Sequence, residues 1–397
     1  MNANEKNESE TVCEINQCAG CMACVDICPK HCISIKDDIE HMNAVIDEDA
    51  CIHCNACHRV CQKNHPAALQ EPIEWHQGWA VDEIRSQSSS GGFSSAIEIA
   101  FINHGGVVAS CKLVDGDYKF VIARSIDELS GFAGSKYVKS NPIGIYKKVK
   151  KELIDGHKVL FLGLPCQVSA LKNFVGEKLG KDLYSIDLIC HGTPSIKLLR
   201  MALKEYGYDL NQCKNVYFRR NGDFAVRANL KNIVPERCHD FYSTAFLQGI
   251  DYTENCYSCH YATGHRVGDL TLGDSWGSEL HDEEQNGISL ALVQTDKGKE
   301  LLALSGVTLK PVDLEKAKIP NTQLCHPMIK KPEHDVFFKN ILRGKSFKRS
   351  VMAVWPKYCV KEELKLFLIK AHLISGGARE KLISGYYLGV VEKGERG

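Results

Sequence analysis

The chain has 397 residues, of which 44% are hydrophobic and 25% charged, with acidic and basic side chains in equal number. This is the composition of a globular protein with room for two or three domains. It excludes a membrane-spanning chain, because no apolar run approaches the roughly 20 residues that a bilayer crossing requires, and no nucleic-acid motif is present. The opening MNANEKNESE is not a signal sequence, so a cytoplasmic location is expected. The outlier is the count of nineteen cysteines.

Residues 1–12 are polar and are expected to form a disordered tail. Residues 13–70 are organised by two runs of C-x2-C-x2-C-x3-C, beginning at Cys18 and Cys51. This is the spacing of bacterial two-cluster ferredoxins, in which the fourth cysteine of each run ligates the other 4Fe-4S cluster. Cys18, Cys21, Cys24 and Cys61 are therefore assigned to one cluster, the first set. Cys51, Cys54, Cys57 and Cys28 form the second set. Structural zinc also uses four cysteines, but in paired knuckles rather than crowded triplets. Disulfides are disfavoured in a chain with no secretory leader. Ile33 to Ile35 and Ala44 to Ile46 are expected as short strands. Residues 1–75 hold thirteen acidic against five basic side chains, a net charge of minus eight, so this domain could dock on a basic body or partner. Ordinary surface charge is the alternative.

Residues 71–87, with the two prolines just before and at their start, are expected to be a linker. From 88 to 155, SSSGG leads into a helix ended by Gly105. A hairpin turning near Asp115 and Gly116 follows, Ser125 and Glu128 make a capping box, and a helix spans 143–154. From 156 to 325 the pattern is strand, helix, strand, helix: VLFLG at 159–163, a helix opened by Pro165, LYSIDLI, and a helix capped by Ser195. Short joints imply parallel strands with right-handed crossovers. Strands around RRNG, a helix at 242–249 and one more strand and helix after Ile288 complete this region. Residues 326–397 read as a helical tail packed on the body.

If strands 159–163 and 183–189 run parallel, Cys166 and Cys190 sit beyond their carboxyl ends, the rim where open α/β sheets bind ligands. The one unused C-x2-C, Cys256 and Cys259, would complete a third four-thiol set for a 4Fe-4S cluster, the alternative being free core cysteines. Ser88 to Gly92 before a helix offers small side chains and a positive helix end that suit a diphosphate, or an ordinary turn and cap.

GLPCQVSALKNF, DLICHGTPS, CYSCHYATGHRVGDLTLGDSWG, SSSGGFSSAI and GSKY together resemble the coenzyme F420 hydrogenase/dehydrogenase beta subunit family over about residues 80–320. The resemblance implies that Cys166, Cys190, Cys256 and Cys259 bind a 4Fe-4S cluster beside FAD. It also implies that Ser90, Gly91, Gly92, Gly134, Ser135, Lys136 and Tyr137 contact the flavin. Lys136 would neutralise phosphate or a reduced isoalloxazine, or else be a surface lysine. Gly273, Asp274, Ser275 and Trp276 border the flavin or form a structural turn. His191 would orient a ligand or relay a proton. Cys13, Cys32, Cys111, Cys213, Cys238, Cys325 and Cys359 are expected as core or exposed thiols.

The expected fold is thus an N-terminal dicluster ferredoxin-like domain, a mixed α/β flavin-binding core and a helical tail. The expected function is an iron-sulfur flavoprotein oxidoreductase with three 4Fe-4S clusters. It would pass electrons between a small-molecule two-electron substrate at FAD, of the F420 type or another low-potential carrier, and a redox protein such as ferredoxin or another oxidoreductase subunit. The alternative is an electron-transfer subunit of a larger complex with no substrate site of its own.

Overall fold

The computed structural model describes residues 10–220 and 223–376. Most of the expected polar tail, the tip of the RRNG turn and the last 21 residues of the expected helical tail lie outside this range. Residues 10–12 are not tail-like: Val12 N donates to Ala44 O at 2.9 Å and Ile46 N to Glu10 O at 2.8 Å, which ties them to a strand.

That strand belongs to the N-terminal domain. β1 (Ile33–Asp37) and β2 (Met42–Ile46) pair antiparallel. Two five-residue helices, Ala23–Ile27 and Ala56–Val60, are each entered through a left-handed residue, Met22 and Asn55, and left through an extended cysteine, Cys28 and Cys61. The matching dihedrals are the structural image of the 33-residue sequence repeat. In each half the left-handed residue turns the C-x2-C loop so that three thiols converge, and the extended cysteine carries the fourth towards the other half.

The core is an eight-stranded mixed sheet in the order β13-β3-β12-β11-β7-β6-β4-β5. Its members are β3 (Glu74–Trp79), β4 (Val107–Val114), β5 (Asp117–Ala123), β6 (Val159–Gly163), β7 (Leu183–Leu188), β11 (Leu270–Asp274), β12 (Ser289–Val293) and β13 (Thr308–Lys310). A smaller antiparallel sheet joins β8 (Val216–Arg220), β9 (Asp223–Ala228) and β10 (Lys231–Asn232). The four central strands β11, β7, β6 and β4 are mutually parallel, as the apolar runs and short joints require.

β3 corrects the expected linker at 71–87. EWHQGW pairs antiparallel with both β12 and β13, and its buried Gln77 accepts from Ser275 Oγ and Ser278 Oγ at 2.8 and 2.7 Å. A strand whose inward residue is polar leaves no apolar alternation in the sequence. Ser125 makes no cap either; Glu128 instead accepts from Arg124 N at 2.6 Å.

The two faces of the sheet are covered differently. On one face Phe93, Ile97, Leu160, Ile186, Leu270 and Leu301 pack under the helices Phe93–Asn103 and Asp296–Ser305. On the other, Val159 and Phe161 meet the helices Ile145–Ile154 and Pro165–Val175, and that cluster runs on without a break into Val12, Ala23, Ile33 and Val60 of the N-terminal domain. The join is also polar: Tyr146 Oη donates to Cys21 O at 2.6 Å and Gly144 N to Asp26 Oδ1 at 2.7 Å. Hydrogen bonds and apolar contact hold the domain to the body, and Glu40 adds a carboxylate–histidine contact with His334 at 3.9 Å. A third apolar cluster joins Leu199, Phe218, Tyr242, Phe337 and Phe347, and the helix Pro356–Lys370 closes it with buried Cys359. No helix among the described residues is long and apolar enough to cross a membrane.

Candidate functional site

β6 and β7 run parallel in register from Val159–Leu183 to Gly163–Asp187, so both carboxyl ends finish on one rim. Cys166 stands in the first turn of the helix Pro165–Val175 that follows β6. Cys190 lies two residues past β7. Cys256 and Cys259 come from the turn Glu254–Ser258, and Cys259 leaves it with φ −67° and ψ 119°, the conformation of Cys28 and Cys61. All four line one cavity of about 180 Å³. Burial raises the thiols of Cys166 and Cys190, and their neighbours in the set raise them further. Sulfurs that raise each other across a dry cavity, on a helix start that favours negative charge, are a donor set suited to a polynuclear iron site, whose metal charge makes the thiolate form favourable.

Cys18, Cys21, Cys24 and Cys61 line a second, tighter cavity, and Cys28, Cys51, Cys54 and Cys57 a third. The expected sets therefore meet in space as the spacing required, with each fourth cysteine crossing over. Each has an extra thiol beside it. Cys13 shares the cavity of the first set, and its hydrogen bond pulls Cys61 down to about 6. Cys32 Sγ lies 3.4 Å from Cys28 Sγ. Their burial agrees with the sequence reading; their place beside the sets does not follow from it, since neither belongs to a run. Replacing Cys13 or Cys32 by serine is expected to leave the iron content unchanged, whereas the same change at Cys18 or Cys28 removes a cluster; iron and sulfide counts after anaerobic purification check this.

A cavity of about 240 Å³ opens at the amino end of the helix Phe93–Asn103. Its wall includes Ser88, Ser89, Ser90, Gly92, Gly134, Ser135, Lys136, Tyr137, Gly273, Asp274 and Trp276. Of the residues expected at the flavin, Gly91 and Ser275 face elsewhere. A side chain at Gly91 would meet Gly78 O at 2.3 Å, so this glycine serves the approach of the loop to β3. Gly92 makes no side-chain cap, so the first backbone N–H groups of an eleven-residue helix point at the cavity, a fit for a diphosphate. Ser275 turns away to Gln77. His191 lines this cavity and that of the third set, as does Leu164, so the two share a wall. Burial pushes His191 down to about 4 against the pull of Asp274.

Residues 156–313 match the family model for the C-terminal part of the coenzyme F420 hydrogenase/dehydrogenase beta subunit. Residues 156–313 are therefore similar to that beta-subunit domain. Residues 17–65 match a 4Fe-4S dicluster domain in front of it. The beta-subunit match spans Cys166, Cys190, Cys256 and Cys259, and the dicluster match spans all eight cysteines of the two runs. Ser88–Gly92 and Gly134–Tyr137 lie outside both. An uncharacterized protein of Methanocaldococcus jannaschii is 28% identical over 211 residues, covering 42% of this chain. The chain spans 55% of the length of that relative. A chain of the F420-reducing [NiFe] hydrogenase complex from Methanosarcina barkeri superposes with a TM-score of 0.47 at 16% identity, covering 79% of this chain and 97% of that one.

Around the large cavity the structure gathers charges of which Lys136 and Asp274 were expected from the sequence and Arg219 and Glu98 were not. Arg219 is buried and paired through both amino groups with Asp274, at 2.6 and 2.7 Å. Its guanidinium lies between Phe224 and Trp276, 4.9 and 4.7 Å from their ring centres. Tyr137 stacks on Phe246 at 4.2 Å. Lys136 is not a surface lysine: its ammonium donates to the Phe132 and Ala133 carbonyls and faces buried Glu98.

Burial pushes Glu98 up to about 7, against the opposing pull of Lys136 and Ser110. Between its ordinary value of 4.5 and about 7 the folded chain holds a proton that the unfolded chain gives up. Stability therefore falls as pH rises through this window. Glu98→Gln is expected to flatten the Tm profile between about pH 5 and pH 7, measured by thermal unfolding under anaerobic conditions. An unchanged slope would show that Glu98 ionises freely.

Proposed function

We propose that the chain is an iron-sulfur flavoprotein oxidoreductase passing electrons between a two-electron small molecule of the F420 class and a one-electron redox protein. One observation carries this reading: the four cavities form a series. The flavin-sized cavity shares Leu164 and His191 with the third set. The cavity of the third set shares Ala19, Gln62 and Lys63 with that of the first, and Cys57 of the second set raises the thiol of Cys24 in the first. The second set reaches the surface at exposed Cys54, beside Ile52, which is 54% exposed. Such an end suits contact with a protein partner, either a ferredoxin or another subunit.

FAD in the large cavity would exchange an electron pair with the small molecule and single electrons with the three 4Fe-4S sites. The residues of the chain would supply the rest. The helix start at Phe93 and the Ser88–Gly92 loop would bind the diphosphate. The Arg219–Asp274 pair and the Tyr137–Phe246 stack would fix the wall, and buried aromatics would exclude water.

The test is anaerobic purification with iron, sulfide and flavin counts, followed by rapid mixing with reduced F420, NADH, NADPH and reduced ferredoxin. About twelve irons and one FAD are expected, with reduction by one two-electron donor. About eight irons without flavin would leave only a dicluster relay. Gly134 has a φ of +89° and lines the cavity. Gly134→Val puts a β-branched residue where only glycine is relaxed and should weaken FAD retention about tenfold, for a strain of about 1–3 kcal/mol. Iron content should not change, and flavin fluorescence after denaturation measures the difference.

A further inference from the structure

Lys139 is 5% exposed. Its backbone N–H is fixed on Pro194 O at 2.8 Å, and its Nζ donates to Ala19 O at 3.0 Å. Ala19 lies between Cys18 and Cys21. The side chain also lines the cavity of Cys166, Cys190, Cys256 and Cys259. The fit on the first set is close, for a side chain at Gly20 would meet Lys139 Cδ at 3.0 Å and Met42 Sδ at 2.6 Å.

An ammonium has three donors, and among the described residues this one has a single acceptor, a neutral carbonyl. Among the same residues no carboxylate lies within ion-pair distance of it. A buried charge without a counter-charge is costly. The groups that face Lys139 are the Cys18–Cys21 loop on one side, through Ala19 O, and the cavity of Cys166, Cys190, Cys256 and Cys259 on the other. The second set is different, since Lys139 neither lines its cavity nor donates to a residue of its loop.

We propose that Lys139 is the counter-charge shared by the first and third cluster sites, and that it raises the reduction potentials of both. This rests on the reading of the third set as an iron site. Each site would take one electron, originating from the two-electron carrier, and pass one on; no bond is made or broken at Lys139. A cation beside a site that becomes more negative on reduction stabilises the reduced form, and burial of the lysine leaves its field less screened than at the surface. Because the same charge faces both sites, it also offsets repulsion between electrons held in each. Lys139 is thus a positioning residue for charge, not a catalytic one.

The experiment is a redox titration followed by electron paramagnetic resonance on the intact chain and on Lys139→Met, Lys139→Gln and Lys139→Arg, each with its iron counted. In both neutral variants two of the three cluster signals should titrate at lower potential, the third should stay in place, and Lys139→Arg should restore most of the shift. Unmoved potentials with full iron would overturn the proposal, as would an equal shift of all three. Iron loss in both neutral variants would do the same, because it would make Lys139 a structural clamp. If the unaltered chain holds about eight irons and shows no third signal, the iron reading of the third set fails instead.

Discussion

Cys166→Ala is expected to remove about four of about twelve irons and to uncouple the large cavity from the N-terminal sets. On the proposed reading, Cys166 is the ligand whose loss is hardest to replace. Its neighbours on the helix Pro165–Val175 are apolar or committed: Gln167 Nε2 donates to Ser140 Oγ at 2.9 Å, and Ser169 Oγ accepts from Ala67 N at 2.9 Å. Cys111 belongs to the wall of the large cavity rather than to that of the third set. The N-terminal pair should survive, because Cys18, Cys21, Cys24 and Cys61 make their own cavity and Cys166 only borders the apolar join, whose buried members include Tyr146 and Val149. Cys325→Ala, at an exposed thiol, serves as the control. In rapid mixing, flavin bleaching by a two-electron donor should persist while the N-terminal clusters stay oxidised. Loss of all iron, or of none, would sink the assignment of this set.

What the sequence made legible follows the range of the interactions involved. The eight N-terminal cysteines are legible because their local spacing dictates the turn of each loop, down to the left-handed Met22 and Asn55. β6 and β7 are legible because a strand buried on both faces is an unbroken apolar run. The third set needed one further step, the parallel pairing that brings Cys166 and Cys190 to one rim. Arg219 and Glu98, among the charges around the large cavity, had no such signal. Glu98 looks like the polar face of its helix until Lys136, on a loop beyond the hairpin, is folded against it. Arg219 and Asp274 are 55 positions apart, and nothing in VYFRR distinguishes the arginine that is buried from the one that is not. β3 was hidden for a related reason, since its inward Gln77 is satisfied only by a loop some two hundred residues later. Lys139 follows the same logic, because its neighbours are sulfurs from other segments.

Asp187→Ala is expected to cost about 3–5 kcal/mol of stability and to loosen the third set. Asp187 sits near the carboxyl end of β7 with no exposure, and Oδ1 accepts from Arg266 Nη2 at 3.3 Å. Its other oxygen accepts from the backbone N–H groups of Val267 and Gly268, both at 3.2 Å. Arg266 reaches on to the carbonyls of Tyr261 and Leu188 at 2.7 and 2.9 Å. One ion pair thus fastens the return from Cys259 into β11 onto the rim that presents Cys190. Alanine would leave a guanidinium 1% exposed with no counter-ion and two buried N–H groups with no acceptor. Arg266→Met should cost a similar amount by stranding the carboxylate. The pair Asp187→Leu with Arg266→Met should recover part of the stability, because no buried charge is then unmatched. The iron content separates the two roles of the clamp. If the double variant regains its Tm but still holds about eight irons, the ion pair shapes the thiol loop. If twelve irons return with the Tm, its contribution is to stability alone. Single variants that each cost under about 1 kcal/mol would show that this pair behaves like an exposed one, and the clamp would be wrong.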